Sequence, residues 1–209
     1  MKTGVIFDLD GTLWDATDNI TDSWNDILKK HGYDFTLTTK QLEREMGKLM
    51  EDIGDSLFPM IEVPKRYDLL FECLDYENEY LEKHGGNLYD GVEETLKELA
   101  KNYEVMIVSN GQEGYVKAFL TYFDFGKYLS DYEEAGRTGL PKKDNIRLVM
   151  ERNDLDSAFY VGDTFLDMQS ADEADVPFIH AAYGFGSVPD DRMKIHDIRE
   201  LPDFLEDLK

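Results

Sequence analysis

Short apolar runs that suit β-strands alternate along this chain with segments of helical spacing, and this alternation most limits the possible folds. Val92, Leu96 and Leu99, for example, recur as the buried face of a helix would. The strand candidates are residues 3–7, 104–108, 158–161 and 178–181. Strands that alternate with helices are typical of a parallel sheet covered on both faces. The pattern predicts an α/β fold, a Rossmann-like parallel sheet core sandwiched by helices.

Residues 15–88 differ from the rest of the chain because no strand run is convincing and helical patterns dominate. Ile20, Trp24 and Ile27 lie on one apolar stripe, and a second stripe runs through residues 69–81. We therefore expect an inserted α-helical domain at residues 15–88. Residues 1–14 and 89–209 would form a discontinuous α/β core. Trp14, at the boundary, is expected either to line a pocket or to pack between the two parts.

The composition limits the classes of partner. The formal charge is −23, from 22 Lys and Arg against 45 Asp and Glu. Such a surface repels phosphate backbones, so we expect neither nucleic-acid nor membrane binding. Cys73 is the single cysteine, so no intrachain disulfide is possible, and no apolar run approaches a membrane span. A soluble cytoplasmic protein is expected, and the sequence does not indicate its oligomeric state.

Two aspartates follow the first strand candidate, in the sequence Asp8-Leu9-Asp10-Gly11-Thr12. Side chains two apart in a strand lie on the same face, so the two carboxylates would be presented together. Ligands of open α/β sheets bind at the carboxyl ends of the strands. An Asp-Gly turn is also common without any function, so these residues alone leave both interpretations open.

Two later loops add polar groups with the same placement. Ser109 and Asn110 follow the second strand candidate, where a hydroxyl and free backbone N–H groups can receive phosphate oxygens. Lys142 and Lys143 lie at the start of a predicted helix, an end at which the helix dipole disfavours cations. The lysines are therefore candidates for binding an anion, and Lys142 is preferred because it follows the turn at Pro141.

Asp163 and Asp167 follow the third strand candidate. If a helix begins promptly after Asp163, the two carboxylates lie one turn apart and face the same point. Carboxylate oxygens suit Mg²⁺, which binds to one or two of them and keeps several waters. The loop at residues 183–186, rich in aromatic residues and glycine, follows the fourth candidate and is expected either to border the site or to form a simple turn.

The chain resembles the haloacid dehalogenase superfamily, in its phosphatase branch. The resemblance rests on four motifs and their order: Asp-x-Asp-Gly-Thr, Ser-Asn, the lysine and Gly-Asp-x-x-x-Asp. The resemblance covers the whole length and implies that residues 15–88 are a cap domain. It implies that Asp8 is a nucleophile that forms an aspartyl-phosphate. Asp10 would protonate the leaving oxygen and then activate the hydrolytic water.

The resemblance also implies a phosphate site and a metal site. Mg²⁺ is the implied cofactor, and a small phosphorylated metabolite is the implied substrate. The phosphoryl group would be held by Thr12, Ser109, Asn110 and Lys142. The metal ligands would be Asp8, Asp10 through its main-chain carbonyl, Asp163 and Asp167, the last directly or through water.

Other functions are compatible with parts of this pattern. A phosphomutase of the same superfamily keeps the acid/base aspartate, whereas a true dehalogenase lacks it. A receiver-like phospho-acceptor protein also groups aspartates, a hydroxyl and a lysine at strand ends, but has no helical insert after its first strand. A regulatory protein on an inactive phosphatase fold would not retain every catalytic residue type. The sequence favours a phosphatase and does not name its substrate.

Overall fold

The computed structural model describes residues 2–48 and 50–208, and for Glu51 it describes the backbone alone. The strands, in chain order, are β1 (Thr3–Phe7), β2 (Trp14–Asp15), β3 (Asn87–Leu88), β4 (Glu104–Ser109), β5 (Asp131–Glu134), β6 (Ser157–Gly162), β7 (Phe178–Ala181) and β8 (Met193–Ile195). The helices are α1 (Thr17–Lys30), α2 (Thr39–Glu43), α3 (Met50–Leu57), α4 (Lys65–His84), α5 (Val92–Leu99), α6 (Tyr115–Phe123), α7 (Ala135–Thr138), α8 (Lys142–Arg152), α9 (Phe165–Glu173) and α10 (Leu201–Asp207).

Within the described residues, six strands form one parallel sheet in the order β5-β4-β1-β6-β7-β8. β1 is central, since Val5 pairs with Val105 on one side and with Phe159 on the other. All four predicted strands are present: β1 and β7 have the predicted bounds, and β4 and β6 are longer by one or two residues. The predicted fold class is confirmed.

Four strands were not predicted: β5 and β8, which extend the main sheet, and β2 and β3, which form a separate two-stranded ribbon. β5 consists of Asp131, Tyr132, Glu133 and Glu134, and it extends the sheet next to β4. An acidic tetrapeptide has neither an apolar run nor a clean alternation, so it lacks the usual sequence signal of a strand. Edge strands have a neighbour on one side only and can therefore be short and polar.

Each face of the sheet is covered by a separate group of helices. The alternation of side chains along β1 directs Val5 and Phe7 to one face and Ile6 to the other. Val5 and Phe7 belong to a core that includes residues of α5, α6 and α10. Ile6 packs in a second core with residues of α8 and α9, among them Ile146 and Met168. Burial on both faces explains why β1 is a continuous apolar run.

Four helices, α1 to α4, lie between β2 and β3, and we call residues 15–88 the helical segment. Its two ends are adjacent, because β2 and β3 pair as an antiparallel ribbon in which Trp14 faces Leu88. The predicted stripe of α1 is buried, and α1 packs against α4. α4 in turn packs against α6 of the core. The division into two domains, with boundaries at residues 14/15 and 88/89, stays a prediction. Met1, Leu49 and Lys209 lie outside the described residues.

The described part of the chain contains no helix that combines the length and the apolar character needed to cross a membrane.

Candidate active site

Three neighbouring strands deliver polar side chains to one point at the edge of the sheet. Because β4, β1 and β6 are adjacent and parallel, the residues that end or follow them lie side by side: Ser109, Asp8 and Asp163. All three are buried, each no more than 3% exposed. The sequence pattern at the strand ends therefore marks one shared site.

Asp10 lies beyond β1, in a turn made possible by Gly11. The φ of Gly11 is +76°, and a Cβ there would lie 2.3 Å from Oδ2 of Asp163, so a larger residue would push into the carboxylates. Oδ1 of Asp10 accepts hydrogen bonds from the Tyr115 hydroxyl at 2.6 Å and from Nε1 of Trp14 at 3.0 Å. Burial raises the pKa of Asp10 to about 7 against the lowering effect of these donors.

Trp14 packs between the two parts of the molecule. Its ring is fully buried and meets Tyr115 and Phe119 edge-on. Of the two expected roles, packing at the boundary is the one observed, with the added hydrogen bond to Asp10.

Lys142 is buried between two carboxylates. Its Nζ donates to Oδ1 of Asp8 at 2.7 Å and to Oδ1 of Asp167 at 2.6 Å. Burial by itself lowers the pKa of this lysine, but the charges of Asp167 and Asp8 keep the pKa well above its usual value. Lys143 instead pairs on the surface with Glu173 at 2.7 Å. Only the first of the two candidate lysines is near the aspartates.

Asp8, Asp163 and Asp167 form a buried carboxylate cluster, in which one oxygen from each lies within 4.8 Å of the others. Burial, and then the neighbouring carboxylates, raise the pKa of Asp8 to about 7 and that of Asp163 to about 8. Oδ1 of Asp163 is buried and has no hydrogen-bond partner among the described residues. An unsatisfied carboxylate oxygen inside a cluster of like charges is costly, and a divalent cation would relieve both penalties. The cluster is thus compatible with a divalent metal.

Oδ2 of Asp163 and both oxygens of Asp167 are already held by hydrogen bonds. Oδ2 of Asp163 accepts from the backbone N–H groups of Phe185, at 2.8 Å, and Gly186, at 3.2 Å, so the loop at residues 183–186 borders the site. Oδ2 of Asp167 accepts from the backbone and hydroxyl of Thr164 in a capping box that starts α9. Since Lys142 occupies the other oxygen, Asp167 is geometrically suited to holding that lysine.

The remaining predicted phosphate-site residues have different surroundings. Asn110 donates through Nδ2 to the carbonyl of Gly47 at 2.7 Å, which joins the core to the helical segment. The Ser109 hydroxyl accepts from the backbone N–H of Gly111 at 3.0 Å. Thr12 is fully buried, and its hydroxyl has no partner among the described residues. The predicted roles of these three residues stay predictions.

A cleft opens above Asp8 and Asp10, between the sheet edge and the helical segment. Glu77 of α4 lies in its wall and is buried. Its Oε2 accepts from Nε1 of Trp24 at 2.5 Å, and its Oε1 accepts from Nε2 of Gln112 at 2.9 Å. Burial raises the pKa of Glu77 to about 7.

Comparison with known proteins assigns the family. The profile of the family described as Haloacid dehalogenase-like hydrolase matches residues 5–181, most of the chain. The chain belongs to the haloacid dehalogenase-like hydrolases. The resemblance stated from the four motifs is confirmed, as is the predicted enzyme class, a hydrolase of this type. Membership, together with the helices inserted after the first strand, decides against a receiver domain.

The relatives of this hydrolase include proteins with two different names. A phosphoglycolate phosphatase of Rhodobacter capsulatus is 30% identical over 99% of this chain and 98% of its own length. A 5'-nucleotidase of Pseudomonas aeruginosa is 25% identical over 92% of this chain and 87% of its own. The crystal structure of a HAD-superfamily hydrolase, subfamily IA, from Geobacter sulfurreducens has a TM-score of 0.73 at 22% identity, covering 98% of this chain and 96% of that one.

Two residues of the site were missed in the sequence of this hydrolase. Glu77 occupies a position of the apolar stripe of α4, and a carboxylate at such a position is the signal that could have marked it. Tyr115 begins α6 with no distinguishing pattern, and only the fold brings it to Asp10. The contact of Tyr115 with Asp10 and that of Glu77 with Gln112 both link positions far apart in sequence.

Proposed function

We propose that this hydrolase is a Mg²⁺-dependent phosphatase that cleaves a small phosphorylated metabolite through an aspartyl-phosphate on Asp8. The observation that carries the proposal is the position of Asp8. It directly follows the central strand, is 2.7 Å from the ammonium of Lys142, and belongs to the cluster with Asp163. A nucleophile, a cation for phosphoryl oxygens and a set of hard oxygen ligands are the parts that phosphoryl transfer requires.

In the proposed reaction, a carboxylate oxygen of Asp8 forms a bond to phosphorus as the bond to the ester oxygen breaks. Asp10 gives its proton to that leaving oxygen, so that an alcohol departs. Asp10 then takes a proton from the water that attacks the aspartyl-phosphate, which releases inorganic phosphate and restores Asp8. A pKa of about 7 suits both roles, because Asp10 then carries a proton in a substantial fraction of molecules at neutral pH.

Mg²⁺ would be held by Asp8, Asp163 and the main-chain carbonyl of Asp10, with Asp167 beside it. When bound, the ion offsets the charge of the carboxylates and of the phosphoryl oxygens. Lys142 contributes a compact positive charge beside Asp8. Without these cations a phosphate dianion would be repelled from the site.

The helical segment would serve as a cap that covers the phosphoryl group and contacts the leaving alcohol. Support comes from the cleft, whose walls belong to both parts of the molecule, and from the bond between Asn110 and the carbonyl of Gly47. Exclusion of water strengthens the electrostatic interactions in a site of this kind.

The test is release of phosphate from p-nitrophenyl phosphate with Mg²⁺ and with EDTA. We expect hydrolysis that depends on Mg²⁺ and that Asp8→Asn abolishes while its circular dichroism and thermal transition stay cooperative, because an amide is a poor nucleophile. Turnover by Asp8→Asn at the wild-type rate would refute the assignment of Asp8. Transfer of the phosphoryl group to another carbon of a sugar phosphate, in place of phosphate release, would indicate a phosphomutase.

A further inference from the structure

The wall of the cleft that belongs to the helical segment is mainly apolar. It includes Ile20, Leu42, Met46, Met50, Ile53 and Leu74. Asp8 and Asp10 lie on the opposite side, at the ends of the sheet strands. When the phosphoryl group is at Asp8, the leaving alcohol must therefore face this wall, and its chemistry has to match what the wall offers.

The deepest polar group of that wall is the carboxylate of Glu77. It is 3% exposed, and its two oxygens are fixed by donors from both parts of the molecule, Trp24 and Gln112. The negative charge of Glu77 acts on Asp10, at the base of the cleft, and helps to raise the pKa of that carboxyl group. Above its pKa of about 7, Glu77 is ionised, and a negatively charged leaving group would then have to approach this carboxylate in a site shielded from water, where repulsion is strong.

The cationic side chain of this wall, Lys48, is already paired with a carboxylate. Among the described residues that line the cleft, Lys48 is the one cationic side chain, and its Nζ pairs with Oε2 of Glu45 at 2.7 Å. Oε1 of Glu45, a buried residue, accepts from the hydroxyl of Ser56 at 2.8 Å. The wall thus presents Glu77, an internally neutralised Lys48–Glu45 pair, and apolar surface.

We propose that the leaving group of the substrate is an uncharged alcohol with apolar surface, selected against carboxylate-bearing and phosphate-bearing alcohols by Glu77 and by the pairing of Lys48 with Glu45. The proposal rests on the phosphatase function proposed above and specifies its substrate class. Phosphoglycolate, whose leaving alcohol bears a carboxylate, would be a poor substrate, unlike what the names of several relatives suggest. A phosphate monoester of a neutral alcohol such as a nucleoside fits the class.

The test compares phosphoglycolate with its neutral primary amide, which has the same size and the same ester bond, at pH 8, where Glu77 is ionised. We expect kcat/KM to favour the amide by about tenfold or more, and Glu77→Gln to reduce that preference to within about threefold. Glu45→Gln, which frees Lys48, should raise kcat/KM for phosphoglycolate relative to that for the amide. Glu79→Gln, an exposed change on the same helix, is the matched control and should keep the wild-type preference.

Equal or better hydrolysis of phosphoglycolate by the wild-type protein would overturn the proposal, as would a preference that persists in both Glu77→Gln and Glu45→Gln. A protein that hydrolyses neither ester nor p-nitrophenyl phosphate would instead refute the phosphatase function. In that case calorimetry with 3-phosphonopropionate and its amide, with Mg²⁺ present, still tests the wall. Binding of the amide about tenfold tighter supports the selection against negative charge, and equal binding refutes it.

Discussion

Asp10 is held by two donors that reach the same oxygen, and this fixes the rotation of its carboxyl group. The Tyr115 hydroxyl has the shorter bond, at 2.6 Å, and both Tyr115 and Trp14 are buried. A proton donor contributes most when it is held in place for the transfer. Tyr115 is therefore a positioning residue for Asp10.

Tyr115→Phe should slow the hydrolysis of alkyl phosphates more than that of aryl phosphates. A nitrophenolate leaves without protonation, whereas an alkoxide requires a proton from Asp10. We expect the burst rate of bond cleavage to fall about tenfold or more for an alkyl ester and less than about threefold for p-nitrophenyl phosphate. Pre-steady-state kinetics measure this step apart from hydrolysis of the intermediate.

Tyr122→Phe changes the same functional group on the same helix, at a residue that is 44% exposed, and should leave both rates unchanged. Equal losses on both esters in Tyr115→Phe would show that Tyr115 supports the fold rather than the proton donor.

Lys142→Ala and Lys143→Ala should separate the two lysines. Lys142→Ala leaves Asp8 and Asp167 unpaired and removes the charge beside the phosphoryl group, so we expect kcat/KM to fall by about 100-fold or more. Lys143→Ala removes an exposed ion pair with Glu173, which contributes little, and should retain activity. Kinetics with p-nitrophenyl phosphate measure both, and a larger loss in Lys143→Ala would contradict the choice of Lys142.

At the scale of elements, α6 depends on the edge strand that the sequence did not reveal. Glu134, the last residue of β5, is buried, and its carboxylate accepts from the backbone N–H groups of Gly114 and Val116 at the start of α6. These are groups that a helix leaves unpaired, and the helix dipole favours an anion there. Since Tyr115 is the first residue of α6, Glu134 also orients the residue that holds Asp10.

Glu134→Ala should destabilise the protein and reduce its activity. The loss of two charge-assisted hydrogen bonds predicts a decrease of about 2–4 kcal/mol in the free energy of unfolding. Urea denaturation followed by circular dichroism measures it. Glu151→Ala, an exposed carboxylate on α8, is the control, with an expected change within about 0.5 kcal/mol. A Glu134→Ala protein as stable as that control would show that α6 does not need this cap.

The elements that the sequence predicted are those with a local signal. β1 and β7 are apolar runs buried on both faces, so their bounds could be read from residue type alone. β5 becomes a strand because it pairs with β4, and Glu133 is accommodated by Arg137 and Arg152. The pairing with β4 and the contact with Arg152 are defined by tertiary structure, and the tetrapeptide itself carries no mark of them.

The residues of the site also divide into those with a local sequence signal and those that only tertiary packing brings to the cleft. Asp8, Asp163 and Lys142 were predicted to converge because each follows a strand or begins a helix, and the topology brings those positions together. Tyr115 and Glu77 reach the cleft from helices whose orientation is set by packing of α4 against α6. A contact of that kind cannot be derived from strand ends, because it depends on how the helices pack.

For the molecule as a whole, the site carries a cost in stability that depends on pH. Burial raises the pKa of Asp8, Asp10 and Glu77 to about 7 and that of Asp163 to about 8 in the metal-free protein. A carboxyl whose pKa is raised by folding binds its proton more tightly in the folded state. The free energy of unfolding therefore falls as the pH rises from the unfolded value, near 4, through the folded values.

In EDTA, we expect the melting temperature to be lower at pH 8 than at pH 5.5, by on the order of 10 °C. Mg²⁺ should recover most of this loss at pH 8 and much less at pH 5.5, because a metal binds deprotonated carboxylates. Differential scanning calorimetry measures both effects. Asp163→Asn should weaken the dependence on pH and on Mg²⁺ together. A melting temperature that rises between pH 5.5 and pH 8 in EDTA would contradict this account.

Because β2 and β3 pair as a ribbon, we expect the helical segment to be replaceable as a unit. Trp14 and Leu88 are paired, so the chain leaves the sheet and returns to it at neighbouring positions. An insert whose two ends meet can be replaced by another of different length without moving the strands that it interrupts. A chimera joined at residues 15 and 88 would keep Asp8, Lys142 and Asp163 and acquire a new cleft wall. One chemical step can in this way be combined with many leaving groups.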